Sequence, residues 1–417
     1  MLNILLIEDQ MTKKAQIVSH LNSCLVNIPS KFVYATDSTS AKRLLTKEYF
    51  DLVILDLHIP KRDNSIAESN IGIEILQFIE TNSKVVAPRF IVSLSAYSFD
   101  ESFKQQFPFC HFISYSTEDD SWKAYLTKIA DYLEFHHKPP YRKDKYNYHC
   151  DITIITAIPE EYDAVQNFLD IDDSWKDIRL DGDSQKISQA YKTVNNKKLF
   201  IVLTQSAQMG MTGAAVATNK IIEAFAPRLV VMSGICAGVK SKTAFGDIII
   251  ADPCFDSGSG SGKWKAIDEN LVFHPAPYQI RIDDDIAQIC NDFTTDKKVF
   301  EEIYSGFNLQ GFVRPTNIPK VIVNANASGG SVLQSSAKMQ DVIDTHKNLV
   351  GLEMEAYAVY TAANNAKSPK PKFFSAKSVC DFGTEDKGDQ VHVYAAYTSV
   401  KFLNHFISRA EFLYDMD

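Results

Sequence analysis

DLVILDLHIP, at residues 51–60, contains a run of four apolar residues, Leu52 to Leu55, that ends on Asp56. Such a run without polar alternation is typical of a strand that is buried on both faces of a parallel sheet. Around it, residues 1–135 alternate five predicted strands with five predicted helices. The strands are 3–7, 31–35, 52–55, 90–94 and 111–114, and the helices are 13–25, 38–48, 71–80, 101–106 and 121–135. This alternation predicts a doubly wound α/β domain with its ligand site at the carboxyl ends of the strands.

The overall composition is that of a folded protein with more than one domain. The chain has 417 residues, of which 45% are hydrophobic and 23% are charged. Its net charge of -9 argues against nucleic-acid binding, and no apolar run is long enough to cross a membrane, so we expect neither partner. Seven scattered cysteines without a CxxC pair indicate reduced thiols and a cytoplasmic protein.

A polar, basic stretch, HHKPPYRKDKYNYH at 136–149, is predicted to link the first domain to a second α/β domain at 150–417. The second domain has predicted strands at 151–157, 199–203, 229–232 and 247–250, and predicted helices at 214–224, 353–363 and 395–406. The segment DSGSGSGKW at 256–264 is predicted to be an exposed loop and a candidate lid.

Three carboxylates are expected to converge at one edge of the first sheet. Glu8 and Asp9 end the first strand, and Asp56 ends the third. Clustered carboxylates repel one another unless a cation lies among them, and all-oxygen ligands with open water positions suit Mg²⁺. Asp56 would then be available as a nucleophile, and Ser95 at the end of the fourth strand is placed to contact its product.

The motifs LLIEDQ at 5–10, DLVILDLHIP at 51–60, GIEIL at 72–76 and SLSAY at 93–97 resemble those of response-regulator receiver domains. The resemblance implies a flavodoxin-like sheet, Asp56 as phosphoacceptor, and Glu8, Asp9 and Asp56 as ligands of Mg²⁺. It also implies Ser95 as the switch hydroxyl and a sensor histidine kinase as phosphodonor.

The fifth predicted strand is followed by a segment that departs from that family. Receivers carry a lysine directly after this strand, whereas the segment HFISYSTED at 111–119 has Tyr115 or its neighbour at that place, and the next lysine is Lys123. The alternative is therefore a pseudo-receiver that only docks a partner.

The second domain resembles the nucleoside phosphorylase and nucleosidase superfamily from about residue 151 to 407. The segments that carry the resemblance are ITAIPEEYDAV at 155–165, TQSAQMGMTGAA at 204–215, VVMSGICAGV at 230–239, FGDIIIADP at 245–253, ASGGSVL at 327–333, GLEMEAYAVY at 351–360 and SVCDFGTEDKGDQVHVYAA at 378–396. No single segment is decisive, but their order is that of the family.

The resemblance implies a role for each of several residues in cleaving an N-glycosidic bond. Asp381 would protonate the purine N7, Glu160 would activate water, and Glu355 would bind the ribose hydroxyls above Met354. Glycosidic cleavage passes through an oxocarbenium-like sugar, which explains the need for an acid and a carboxylate. The further predicted substrate-binding residues are Glu353, Gly234, Ala237, Gly238, Ser328, Lys377 and Lys387.

Two features favour hydrolysis over phosphorolysis. VVMSG lacks the arginine with which phosphorylases bind phosphate, and TAIPEEY is acidic. A receiver joined to a nucleosidase resembles the effectors of Detocs-type two-component phage-defence systems, which implies cleavage of ATP to adenine and ribose 5′-triphosphate. Lys377, Lys387, Lys240 and Lys242 are the candidate cations for such a triphosphate.

Two alternatives remain open, and a third is disfavoured. The first is a methylthioadenosine or adenosylhomocysteine type of nucleosidase, or a purine nucleoside phosphorylase, with a regulatory receiver. The second is a nucleotide sensor without catalysis. A transcription factor is disfavoured because no basic helix-turn-helix region is present. The resemblance also implies a homo-oligomer and no cofactor in the second domain.

Overall fold

The computed structural model describes residues 2–414 apart from 27, 64, 69–70, 97–100, 142–144, 259–261, 268–269 and 277. The chain divides into two compact units, Met1–His149 and Cys150–Asp417. The boundary assigns the basic stretch at 136–149 to the first unit. Among the described residues, no helix is both long and apolar enough to cross a membrane. All seven cysteines are free thiols.

The first unit is a five-stranded parallel sheet in the order β2-β1-β3-β6-β7, with helices between the strands. Its elements are β1 (Leu2–Ile7), α1 (Met11–Cys24), β2 (Ser30–Ala35), α2 (Ser38–Leu45), β3 (Leu52–Leu55), β4 (Ile59–Pro60), β5 (Ala67–Glu68), α3 (Ile71–Thr81), β6 (Phe90–Ser95), α4 (Glu101–Gln106), β7 (Cys110–Ser114) and α5 (Ser121–His136). The short strands β4 and β5 pair with each other outside the main sheet. The predicted five-stranded parallel sheet is therefore present.

Alternating side chains of these strands form two separate cores. Leu5 and Ile7 of β1 pack in one cluster, whereas Ile4 and Leu6 pack in another. Because successive side chains of a strand point to opposite faces, both faces of the sheet are buried beneath helices. This double burial accounts for the uninterrupted apolar run that forms β3.

The second unit is a larger α/β structure built on a ten-stranded sheet. Its elements are β8 (Cys150–Thr156), α6 (Pro159–Phe168), β9 (Lys176–Ile178), β10 (Ile187–Val194), β11 (Lys197–Gln205), α7 (Met211–Phe225), β12 (Pro227–Gly238), β13 (Ile248–Asp256), β14 (Gly262–Ile267), β15 (Asn270–Pro275), β16 (Gln279–Ile280), α8 (Asp284–Phe293), α9 (Lys297–Gly306), β17 (Val321–Ser328), α10 (Ser336–Ile343), β18 (Gly351–Glu353), α11 (Ala356–Asn364), β19 (Lys372–Asp381) and α12 (His392–Arg409), followed by a 3₁₀ turn (Glu411–Leu413).

Five of its strands close a ring. β12 pairs with β18, β18 with β17, β17 with β13, β13 with β19, and β19 with β12. The carboxyl ends of β12 and β19 thereby lie side by side, with Ala237 opposite Asp381. This pairing brings the GICAG and CDFG segments together.

Three predicted boundaries in this unit are wrong. The strand predicted at 229–232 is longer, Pro227–Gly238, so GICAG is part of β12, with a bulge between Cys236 and Ala237. Glu353 ends strand β18, so the helix predicted from 353 begins only at Ala356. The predicted loop at 256–264 begins in β13 and ends in β14, a strand of a two-stranded hairpin with β15, and the part at 259–261 lies outside the described residues.

Candidate active site

A pocket in the second unit gathers most of the predicted substrate-binding residues. It is lined by Ala157, Ile158, Glu161, Met209, Ile235, Cys236, Ala237, Ser331, Val332, Leu333, Leu352, Glu353, Met354, Glu355, Lys377, Cys380, Asp381, Lys387 and His392. The residues come from the ends of several strands and from the loops that follow them. Chain segments that are far apart in sequence thus supply one concave site, which is typical of an active site in an α/β fold.

The glutamate after the first strand that lines the pocket is Glu161 of helix α6, and not the predicted Glu160. Glu160 is exposed, whereas Glu161 is buried and lines the pocket. Helix α6 begins at Pro159, so Glu161 is at its third position and reaches back to the chain that enters the helix. Its Oε2 accepts hydrogen bonds from the N–H groups of Ala157 at 2.7 Å and Ile158 at 3.3 Å.

Gly234 makes room for that carboxylate. The Oε1 atom of Glu161 accepts a hydrogen bond from the Ile235 N–H at 2.8 Å. A Cβ on Gly234 would lie 2.0 Å from the same oxygen, so a side chain at this position would displace Glu161. Gly234 therefore supports the site without lining it. Gly238 does not line the pocket either. A Cβ at this position would meet Thr243 and Val379.

Lys377 lies at the centre of three carboxylates. Its Nζ is 2.8 Å from Glu355 Oε2, 3.5 Å from Glu353 Oε2 and 3.6 Å from Glu161 Oε1. The side chain is only 3% exposed. Burial alone would lower the pKa of Lys377, but the three carboxylates raise it well above its usual range, so the lysine is charged. One ammonium thus holds three carboxylates together.

The three carboxylates differ in their ionisation. Burial raises the pKa of Glu161 and of Glu353, an effect that outweighs the opposing influence of Lys377. Burial would also raise the pKa of Glu355, but Lys377 and the Gly210 N–H, which donates to Oε1 at 2.9 Å, lower it below its usual range. Glu355 is therefore the ionised acceptor of the group, and Glu161 is a stronger base than an ordinary glutamate.

Glu353 and Ser328 are structural supports of this arrangement. Glu353 Oε2 accepts from the N–H groups of Glu355 and Ala356, both at 2.8 Å, and so fixes the start of helix α11. Its other oxygen accepts from the Ser328 hydroxyl. Ser328 does not line the pocket, contrary to its predicted role in substrate binding. Met354 is half-buried and lines the pocket, as predicted.

Asp381 ends β19 and lines the same pocket. It is buried, and its Oδ1 accepts from the Gly383 N–H at 2.7 Å. Lys387 Nζ lies 3.1 Å from Oδ2 and is 16% exposed, which places it nearer to solvent than Lys377. Both predicted residues are thus in the pocket, in direct contact with each other.

Two of the lysines predicted to bind a triphosphate lie outside the pocket, and one group of possible metal ligands inside it is poorly suited to a metal. Lys240 and Lys242 are exposed and do not line the pocket, so these two proposed triphosphate ligands are excluded from it. Cys380, Asp381 and His392 place one potential metal-ligand atom each within 4.8 Å of one another. Burial raises the pKa of Cys380 well above its usual range, so the thiolate that a metal requires is disfavoured.

Sequence reasoning missed Glu161, His392 and Met209 as pocket residues. For Glu161 a signal existed: glutamate three residues into a predicted helix is the position that bonds back to the preceding backbone. His392 and Met209 carried no comparable signal, since each enters the pocket through a loop or helix start that packing positions.

The predicted carboxylates of the first unit also converge. Glu8 and Asp56 are buried, and Asp9 is half-buried. The ammonium of Lys13, from the first turn of α1, lies 2.8 Å from Glu8 Oε2 and 2.5 Å from Asp56 Oδ2. A cation therefore already bridges the two oxygens that a Mg²⁺ ion would share, and in this arrangement the residues do not fit that ion.

Comparisons with known proteins place the second unit. A family model described as the phosphorylase superfamily matches residues 151–410. The uncharacterized protein y4jS of Sinorhizobium fredii is 27% identical over 419 residues, which cover 98% of this chain and 99% of that one. The ATP nucleosidase Cap17 of Escherichia coli is 24% identical over 271 residues, which cover 62% of this chain. That match spans about half of Cap17, 52% of its length.

Two solved structures of Helicobacter pylori proteins are similar to the chain. They are futalosine hydrolase and 5′-methylthioadenosine/S-adenosylhomocysteine nucleosidase, each 20% identical with a TM-score of 0.47 over 63% of this chain. The similarity covers 98% of the first protein and all of the second, 100%. The family match over residues 151–410 takes in the whole pocket and more than half of the sequence. On that match, the chain belongs to the phosphorylase superfamily.

Proposed function

We propose that the second unit hydrolyses the N-glycosidic bond of a purine nucleotide, with ATP and dATP as substrates. The observation that carries this proposal is the presence of two separate carboxyl sites in one pocket. Glu161 and Glu355 are held around Lys377, whereas Asp381 is paired with Lys387. An acid for the leaving base and a base for water are thereby available in the same pocket.

Each residue takes one step of the reaction. Glu355 accepts hydrogen bonds from the ribose hydroxyls, which orients the sugar over Met354. Glu161 takes a proton from a water molecule while the oxygen of that water molecule bonds to C1′. The bond from C1′ to N9 breaks, and the base leaves with a proton that Asp381 delivers at N7. Both protons and the bonding electron pair are accounted for, and water is the nucleophile.

The charge of the pocket favours water over phosphate. Four carboxylates line it, from Glu161, Glu353, Glu355 and Asp381, whereas its two lysines are both paired with carboxylates. A phosphate nucleophile beside C1′ would find no unpaired lysine among the described lining residues, because carboxylates already hold both. This supports hydrolysis rather than phosphorolysis.

The proposed nucleotide specificity relies on Lys387. The name of Cap17, an ATP nucleosidase, motivates ATP as substrate. A 5′-triphosphate requires a cation. Lys387 is the pocket lysine nearer to solvent, and it would have to turn from Asp381 to the phosphates to bind them. A second candidate, a nucleosidase for 5′-thioethers such as methylthioadenosine, is favoured by the apolar lining side chains Ile158, Met209 and Val332.

The test is chromatography of products after incubation of the full chain with ATP, dATP, AMP, adenosine and methylthioadenosine, with and without phosphate. We expect free adenine from ATP without any phosphate requirement. The Lys387→Met variant should lose activity on ATP more than on adenosine, and the exposed-lysine control Lys240→Met should match the wild type. Adenine from methylthioadenosine alone would support the second candidate, and a strict phosphate requirement would contradict hydrolysis.

We further propose that the first unit is a receiver that regulates this activity. Asp56 accepts a phosphoryl group from a sensor histidine kinase, and the modified unit changes self-association of the chain or access to the pocket. The support is the burial of Asp56 at the carboxyl edge of a parallel sheet, next to Glu8 and near Ser95.

The test of regulation uses Asp56→Asn. With a phosphodonor, the wild type should change in rate of adenine release and in elution volume, and Asp56→Asn should not respond. Asp63→Asn, an exposed aspartate of the same unit, serves as the control. An equal response of Asp56→Asn and the wild type would exclude Asp56 as the switch.

A further inference from the structure

Lys13 is an unusual residue for its surroundings, because it is a charged side chain that is almost fully buried. It belongs to the first turn of α1 and is 3% exposed. Buried lysines are rare in proteins unless they are paired. Here the ammonium has three oxygen partners: Asp56 Oδ2 at 2.5 Å, Glu8 Oε2 at 2.8 Å and the Leu94 carbonyl at 2.8 Å.

These partners come from three neighbouring strands of the sheet. Glu8 follows β1, Asp56 follows β3, and Leu94 lies in β6. The ammonium therefore occupies the point where the carboxyl ends of the strands meet. All three of its N–H donors have an oxygen to bond to, so no hydrogen-bonding capacity of Lys13 is left over.

Tyr115, which directly follows β7, lies beside the same ammonium. This is the place where receiver domains carry a lysine. The Lys13 ammonium lies 5.0 Å from the centre of the Tyr115 ring, and the Tyr115 hydroxyl donates to Gln16 Oε1 at 2.5 Å. The ring thus faces a cation that comes from α1, and Gln16 of the same helix fixes its orientation.

The sheet edge around Glu8, Asp9, Asp56 and Ser95, the Asp56 pocket, contains polar atoms without partners among the described residues. The Ser95 hydroxyl, which is 1% exposed, has none, and neither has Asp9 Oδ1. Ser95 is the next residue after Leu94, whose carbonyl Lys13 contacts. Unsatisfied buried polar groups are costly and mark places where a ligand or a modification supplies the missing bonds.

We propose that Lys13 is the built-in cation of the Asp56 pocket. Its ammonium takes the place of a divalent metal between Glu8 and Asp56, and it supplies from α1 the positive charge that the segment after β7 lacks. As a consequence, the pocket binds a divalent cation only when Lys13 is removed or displaced. This property of the first unit does not depend on the reaction in the second.

The experiment is a titration of the full chain with Mn²⁺, followed by electron paramagnetic resonance of the free ion and by thermal unfolding. The variants are Lys13→Met, Asp56→Asn, the double variant Lys13→Met with Asp56→Asn, and Lys14→Met as control. Lys14 is the next residue on the same helix and lies over the Tyr34 ring, away from the carboxylates. Lys13→Gln is a second variant in case Lys13→Met does not fold.

We expect no saturable Mn²⁺ site at Asp56 in the wild type or in Lys14→Met. Lys13→Met should gain one saturable site. Its affinity for Mn²⁺ should be at least about tenfold higher than any residual binding by the wild type, because the repulsion by a fixed positive charge is removed. Mn²⁺ should also raise its unfolding temperature, and the double variant should lose both effects. Overturning results are a wild-type Mn²⁺ site that Asp56→Asn abolishes, or folded Lys13→Met and Lys13→Gln variants that gain no site.

Discussion

Replacement of Glu161 by glutamine tests the assignment of the base most directly. Glutamine keeps the shape of the side chain but removes the charge and one set of acceptor lone pairs. In the protein, the two oxygens of Glu161 accept bonds from the N–H groups of Ala157, Ile158 and Ile235. In the Glu161→Gln variant, the amide NH2 group would therefore face one or more of these backbone N–H groups. Two hydrogen-bond donors would then meet without an acceptor.

The expected effect on activity is larger than that on stability. Loss of a general base costs about 10²–10⁴ in rate, which is about 3–5 kcal/mol of transition-state stabilisation. One mismatched buried donor costs about 1–3 kcal/mol of folding free energy. Lys377 keeps two carboxylate partners, Glu353 and Glu355, so the variant should still fold.

The assay is the rate of adenine release from the best substrate of the panel, together with a thermal unfolding curve. Glu160→Gln is the matched control, since it makes the same change one residue earlier on an exposed side chain. It should retain the wild-type rate within about twofold. A Glu161→Gln variant that keeps its activity while Glu160→Gln loses it would refute the reasoning and restore the original prediction from sequence.

Three further predictions address the remaining parts of the two sites. Gly234→Ala should lower activity together with stability, by about 1–3 kcal/mol, because its Cβ would lie 2.0 Å from the Glu161 carboxylate. Gly330→Ala, where a Cβ meets nothing within 4 Å, should be silent in the same unfolding and activity assays, and equal effects of the two would contradict the packing argument. Asp381→Asn should slow adenine release by about 10²–10⁴, while the exposed control Asp386→Asn should not; a fully active Asp381→Asn would exclude it as the acid. Burial raises the pKa of Glu8 from 4.5 to about 7, so the folded state holds a proton that the unfolded chain releases. The contribution of Glu8 to the stability of the first unit should be fully present below pH 4.5 and be lost as pH rises through 7, by at most about 3 kcal/mol. Hydrogen exchange of β1 should show this fall in the wild type and a flatter profile in Glu8→Gln, and parallel profiles would contradict it.

Local sequence patterns were sufficient to predict the parallel sheet of the first unit. Its central strands β1 and β3 follow from the apolar runs at 4–7 and 52–55, because a strand buried on both faces admits no polar alternation. The convergence of Glu8 and Asp56 follows from topology, since both end neighbouring parallel strands. What topology does not give is the direction of a long side chain from a helix. Lys13 was therefore not predicted, although its ammonium decides which cation the pocket holds.

In the second unit, the sequence by itself determined the family through the order of its motifs, and it determined Asp381, Glu355 and Met354 as residues of one site. Only the tertiary structure decided between Glu160 and Glu161, because the two differ by one position on a helix and therefore point about 100° apart. It also decided the role of Lys377, which three carboxylates from separate segments surround. Burial and charge pairing depend on contacts between distant parts of the chain, and no local pattern encodes them.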